Sequence, residues 1–220
     1  MSFLVVLVAV AGFAWYFQGG RQRPGAGASA AAQARRLRTP LVRLADLVGI
    51  QTVRGRQAQQ WDAGAAGEKA TAARLKPLAR QGWTVLHDRA LLTGRANVDH
   101  LLVSPGGLVF VVDSKRWSAR YRLRVAAGRL LHGDLDVTAR LRGIRHEAQS
   151  VAKALSCPVI PIVSMDGAPI DGGELVIDGI RIVPADRLVP VLRTLSRRKA
   201  ATGRHPGRLA ARLFQPYRRK

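Results

Sequence analysis

Asp99 stands in the run Asn97-Val98-Asp99-His100, and fourteen positions later an apolar stretch, Leu108 to Val112, ends in Asp113-Ser114-Lys115. Two acids and a lysine at the ends of neighbouring apolar strands resist burial unless something compensates their charge. A divalent cation and a phosphate would do so. A hard ion such as Mg²⁺, or Mn²⁺ in its place, takes a few carboxylate oxygens and completes its shell with water and substrate phosphate. The chemistry open to such a set is metal-assisted phosphodiester hydrolysis. The metal would act as Lewis acid and water activator, while the ammonium orients or activates the water or offsets charge building on the phosphate.

Strand periodicity decides which of these groups can meet. Side chains two apart share a face, so Asp113 and Lys115 point one way and Ser114 the other. Ser104-Pro105-Gly106-Gly107 has the residues of a type II turn, which predicts an antiparallel hairpin from Asn97–Val103 and Leu108–Asp113. Asp99 can then lie beside the Asp113 end, with the register left open. His100 is expected on the face opposite Asp99. Glu68 falls on a helix predicted from about Asp62, where Ala65, Ala72 and Leu75 share its stripe. A carboxylate on an apolar stripe needs a partner, and the metal or Lys115 could serve. Pro77 predicts that this helix ends or kinks near Lys76.

The order of these features resembles the nuclease-related domain family, NERD, within the PD-(D/E)XK nuclease superfamily. The features are Gly67-Glu68 on a first helix, a strand from Trp83 to Asp88, Asn97-Val98-Asp99-His100, Pro105-Gly106-Gly107, and Val111-Val112-Asp113-Ser114-Lys115 followed by Trp117. The resemblance runs from about Asp62 to Met165. It implies an α/β fold of restriction-endonuclease-like type, with a four-stranded mixed central sheet and flanking helices. It also implies Asp99 and Asp113 as metal acids, Lys115 as the catalytic lysine and Glu68 as the helix-borne acid. The motif acid is Asp113 where such nucleases more often carry glutamate.

Composition names the partner. The formal net charge is +22, from 36 basic and 14 acidic residues, a field that attracts polyanions. Nucleic acid, with DNA placed ahead of RNA, is the first expectation and anionic lipid a further one. A helix predicted over Thr138–Leu155 sets Leu141, Ile144, Ala148, Val151 and Leu155 on one side. Arg142, His146, Gln149 and Lys153 form the other, read either as a phosphate-facing surface or as an ordinary solvated face. Cys157 is the single cysteine, which excludes an internal disulfide and a thiolate zinc cluster. No P-loop pattern occurs.

The chain divides by composition. Residues 1–20 hold an uncharged apolar run, Phe3–Phe17, with arginines following at Arg21 and Arg23. This predicts a transmembrane signal anchor preceding the α/β domain, at the cell membrane, single-pass, with the remainder cytoplasmic. Residues 21–60 read as a basic juxtamembrane arm, its Gly25–Ala34 stretch a flexible linker. Residues 61–196 form the nuclease-like domain, and 197–220 a basic disordered tail. Further strands are predicted at Tyr121–Val125, Val159–Ser164 and Leu175–Val183, and a helix at Ala185–Leu195. The functional expectation is a membrane-anchored, Mg²⁺-dependent nuclease. The alternative is a catalytically dormant nucleic-acid-binding module that tethers DNA to the membrane.

Overall fold

The computed structural model describes residues 25–93, 96–197 and 205–217. Three helices lead into the sheet: α1 (Ala28–Leu37), α2 (Pro40–Leu47) and α3 (Val53–Ala79). Thr39 and Thr52 cap α2 and α3, their hydroxyls accepting from the Val42 and Gly55 N–H groups. Then β1 (Thr84–Ala90), β2 (Asn97–Val103) and β3 (Val109–Arg116) run as antiparallel neighbours. A small second sheet follows, of β4 (Leu123–Ala126), β5 (Arg129–His132) and β6 (Leu135–Asp136). A 3-10 turn at Thr138–Leu141 opens α4 (Arg142–Leu155), which returns the chain as β7 (Val159–Asp166), parallel to β3. With β8 (Leu175–Ile177) and β9 (Ile180–Pro184) the main sheet has six strands in the order β1-β2-β3-β7-β9-β8. Helices α5 (Leu188–Ser196) and α6 (Gly207–Leu213) complete the chain described.

Both faces of the central strands are covered, which is why β3 reads as an unbroken apolar run rather than an alternating one. Leu101, Val111 and Val163 pack with Ile144, Val151 and Leu155 of α4 on one face. Leu102, Phe110 and Val112 pack with Leu75 and Leu78 of α3 and Leu188 and Leu192 of α5 on the other. Each such side chain removed from water contributes about 1.5–3 kcal/mol, so this double layer holds the hairpin in one register.

Several sequence expectations change. The transmembrane helix of residues 1–20 lies outside the described residues. Among those described, no helix is long and apolar enough to cross a membrane. The described residues form a mixed α/β fold of central sheet and flanking helices, with no membrane-spanning helix among them. The sheet has six strands rather than four, and Leu123–Ala126 belongs to the separate sheet. The stretch read as a flexible linker carries α1, whose Ala30, Ala32 and Ala34 are buried, with α1 packed along α3. The helix expected from Asp62 starts at Val53, and Pro77 sits inside its last turn without ending it. Proline costs the helix its own i→i−4 hydrogen bond, and the chain leaves the helix two residues later, after Ala79.

The tail is also ordered in part. α6 brings Phe214 into the core, and residues 215–217 run along the outer edge of β1. There the Ala90 N–H donates to the Gln215 carbonyl and the Tyr217 N–H to the Asp88 carbonyl. This covers a strand edge that would otherwise offer unpaired backbone groups. The hairpin turn differs in detail as well. The Gly107 N–H donates to the Ser104 carbonyl at 2.9 Å, but positive φ falls on Gly107, at 85°, rather than on Gly106. A left-handed residue after the turn matches the strands' twist.

Candidate active site

The β2–β3 ladder pairs Val103 with Val109 and ends at His100 opposite Val112. One step further in the same register stand Asp99 and Asp113, on the face they share with Val111 and Lys115. Asp99 Oδ2 accepts the Ser114 N–H at 3.1 Å, fastening one acid's strand to the other's. Lys115 Nζ lies 2.9 Å from Asp113 Oδ1 and 2.8 Å from Oδ2, so the ammonium bridges both oxygens. Ser114 points to the opposite face, where its hydroxyl meets His100 Nε2 at 3.1 Å. His100 Nδ1 in turn lies 2.8 Å from His87 Nδ1, one ring donating and the other accepting. Beneath the acids there is thus a buried polar line. Burial, then the neighbouring His87, push the His100 imidazole down to about 3.

Helices supply the remaining acids. Glu68 of α3 is buried, and its Oε2 accepts the Gly27 N–H at 2.9 Å, just before α1 begins. Asp88, buried at φ 47°, accepts from the Ser29 N–H at 2.8 Å and from Asn97 Nδ2 at 2.9 Å. Carboxylates are favoured at a helix N-terminus, whose N–H groups lack intrahelical partners. Gly27 cannot be replaced freely here. Its φ is 72°, and an added Cβ would lie 2.5 Å from the Ala65 carbonyl oxygen. Glu147 of α4 is the acid that sequence reading missed. Its Oε2 is buried with no hydrogen-bond partner. The signal was available, because Glu147 lies three residues after Ile144 and four before Val151, on the apolar stripe.

These carboxyls raise one another's affinity for protons. Burial, then Asp88, lift Glu68 to about 7 against the pull of the Gly27 N–H. Burial, then Asp113, lift Glu147 to about 8. Asp99 is held well above the usual carboxylate range by burial, followed by Glu68, Asp113 and Glu147. Burial also raises Asp88. For Lys115, burial alone would favour the neutral amine, but Asp113, Asp99 and Glu147 outweigh it and hold the ammonium charged. One cation thus faces an excess of acids.

Comparison with known families places this arrangement. Residues 63–165 match the family model of the nuclease-related domain, NERD. No curated protein and no solved structure matches the chain. The NERD segment contains Glu68, Asp88, Asp99, Asp113, Lys115 and Glu147, and so spans the whole acid cluster. Asp99, Asp113, Lys115 and Glu68, named from sequence, are brought together at one end of the hairpin. Arg142, Gln149 and Lys153 are not: all are exposed and at wide helical angles from Glu147, with Arg142 Nε bonded to the Ala139 carbonyl.

The donor set suits a hard cation in kind, being all oxygen, and one of those oxygens lacks any partner. Among the described residues, however, no three His, Cys, Asp or Glu side chains are arranged to hold a metal ion. An ion here would take the minimal protein share that suits Mg²⁺, with water and phosphate filling its other positions.

Proposed function

We propose that the NERD segment hydrolyses phosphodiester bonds of nucleic acid using Mg²⁺ or Mn²⁺. The reading is carried by one observation: Asp99 and Asp113 project together from adjacent strands beside Lys115, inside a cluster with too few positive charges. Asp99 and Asp113 would hold the ion. When bound, it supplies Lewis acidity and lowers the pKa of attached water.

The chain's own groups carry the other duties. Lys115 stays protonated between the Asp113 oxygens, so it acts as a charge rather than a base, steering the attacking water and offsetting charge on the phosphate. Glu147, which keeps its proton up to about 8 beside Asp113, would serve as a proton donor toward the leaving oxygen rather than as the base. Glu68, fixed by Gly27, supports Lys115 from the helix. Surplus arginines hold the backbone without reading sequence.

A panel of single-stranded, duplex and branched DNA and RNA, with Mg²⁺ or Mn²⁺, tests this against Asp99→Ala and Lys115→Ala. Cutting by the wild type, reduced about 10²-fold or more in each folded variant, is expected. Equal cutting by all three removes the assigned site. Lys115 bridging both Asp113 oxygens favours a second reading, a dormant module that binds without cutting. That reading predicts binding with no metal-dependent cleavage on any substrate.

A further inference from the structure

Two residues beyond Lys115 the chain leaves the main sheet through a line of aromatic rings. Trp117 and His132 have centroids 5.5 Å apart with planes tilted by 40°, and His132 meets Tyr121 edge to face at 5.7 Å, so the rings turn their faces in different directions. Guanidinium groups close both ends, Arg140 at 5.2 Å from the Trp117 ring and Arg120 at 5.6 Å from the Tyr121 ring. The row is built, not incidental. The Trp117 backbone N–H donates to the Asp166 carbonyl and its ring packs against the core, His132 Nε2 donates to the Ser118 carbonyl, and Tyr121 rests on Gly133. Neighbouring arginines 116, 122, 124 and 129 are each paired with an aspartate. Among the described residues Arg120 and Arg140 enter no ion pair, although both are exposed.

We infer that this row, Arg140-Trp117-His132-Tyr121-Arg120, is a stacking platform for unpaired nucleobases, which selects nucleic acid with a single-stranded segment next to the cleavage site. Ring faces accept any base, and guanidinium groups that already rest on the rings without an ion pair can stack on a base and reach phosphate. A blunt duplex keeps its bases stacked on one another and cannot use such faces. Loops, overhangs and single strands can. Trp117 follows Lys115 by two residues, so a base held here lies close to the phosphate at the acid cluster. The inference rests on the nucleic-acid reading above and adds the substrate class.

The test is equilibrium binding of the full chain to a fluorescent single-stranded oligonucleotide and to a blunt duplex of equal length, with metal chelated so that nothing is cut. Wild type is expected to prefer the single strand. Trp117→Ala and Tyr121→Leu should each weaken single-strand binding about tenfold and duplex binding under about twofold. Trp117→Phe, which keeps a ring, should restore most of the preference. Tyr121 is 47% exposed, so Tyr121→Leu serves where Trp117→Ala disturbs folding. Equal losses on both ligands, or no loss with either variant, would overturn the platform. Because no cleavage is read, a chain that prefers single strands through these residues yet never cuts supports the platform while striking the nuclease reading.

Discussion

Glu147 and Lys115 show how single groups carry the account. A carboxyl at about 8 when folded and near 4.5 when unfolded keeps its proton in the native state over that interval while the unfolded chain has lost it. Native stability therefore falls as pH rises from about 4.5 to 8, and levels off above. Glu147→Gln removes this slope. With metal chelated, the variant should melt with the wild type near pH 4.5 and exceed it by at least about 2–4 °C near pH 8, each 1 kcal/mol moving Tm by that amount in a domain of this size. Thermal scans across that range check it, and parallel melting curves would show Glu147 to be solvated. Lys115→Ala acts in the opposite direction. It leaves Asp113 buried without its counter-charge, which costs about 3–5 kcal/mol where no cation replaces it. Adding Mg²⁺ should return much of that loss in a denaturant titration.

At the scale of elements, α1 and the segment after α6 hold the site from outside the central domain. Gly27→Ala puts a side chain at positive φ against the Ala65 carbonyl and should cost about 1–3 kcal/mol. Amide hydrogen exchange over 28–37 should then rise while the β3 amides stay protected. Phe214→Ala should cost about 3–5 kcal/mol by chemical denaturation, because the ring is fully buried. Neither element was legible in the sequence, and for physical reasons. α1 docks through alanines small enough for close helix approach, which leave no large apolar stripe to read. The tail hides one buried aromatic among arginines. The hairpin, by contrast, was legible because two apolar runs flank a Ser-Pro-Gly-Gly turn, and the register then set Asp99 across from Asp113. Trp83, read as the first residue of β1, lies just before the strand and packs on Phe110. Glu147 escaped notice because its stripe was read for apolar positions, although the spacing argument that found Glu68 applies equally to it.

Across the whole molecule, a cationic body with a formal net charge of +22 surrounds a cluster of buried acids whose carboxyls favour the protonated form. The body should bind nucleic acid through phosphate contacts, and its affinity should fall steeply and linearly in log–log form with salt. The proposed hydrolysis requires a cation at the acid cluster, so its central claim is that Asp99 and Asp113 would hold one ion. Titration of the full chain with Mn²⁺, followed by the electron paramagnetic resonance of free Mn²⁺, measures this directly. The account predicts one site in the wild type, lost in Asp99→Asn and in Asp113→Asn while circular dichroism shows both variants folded. Undiminished Mn²⁺ binding by either folded variant would contradict it.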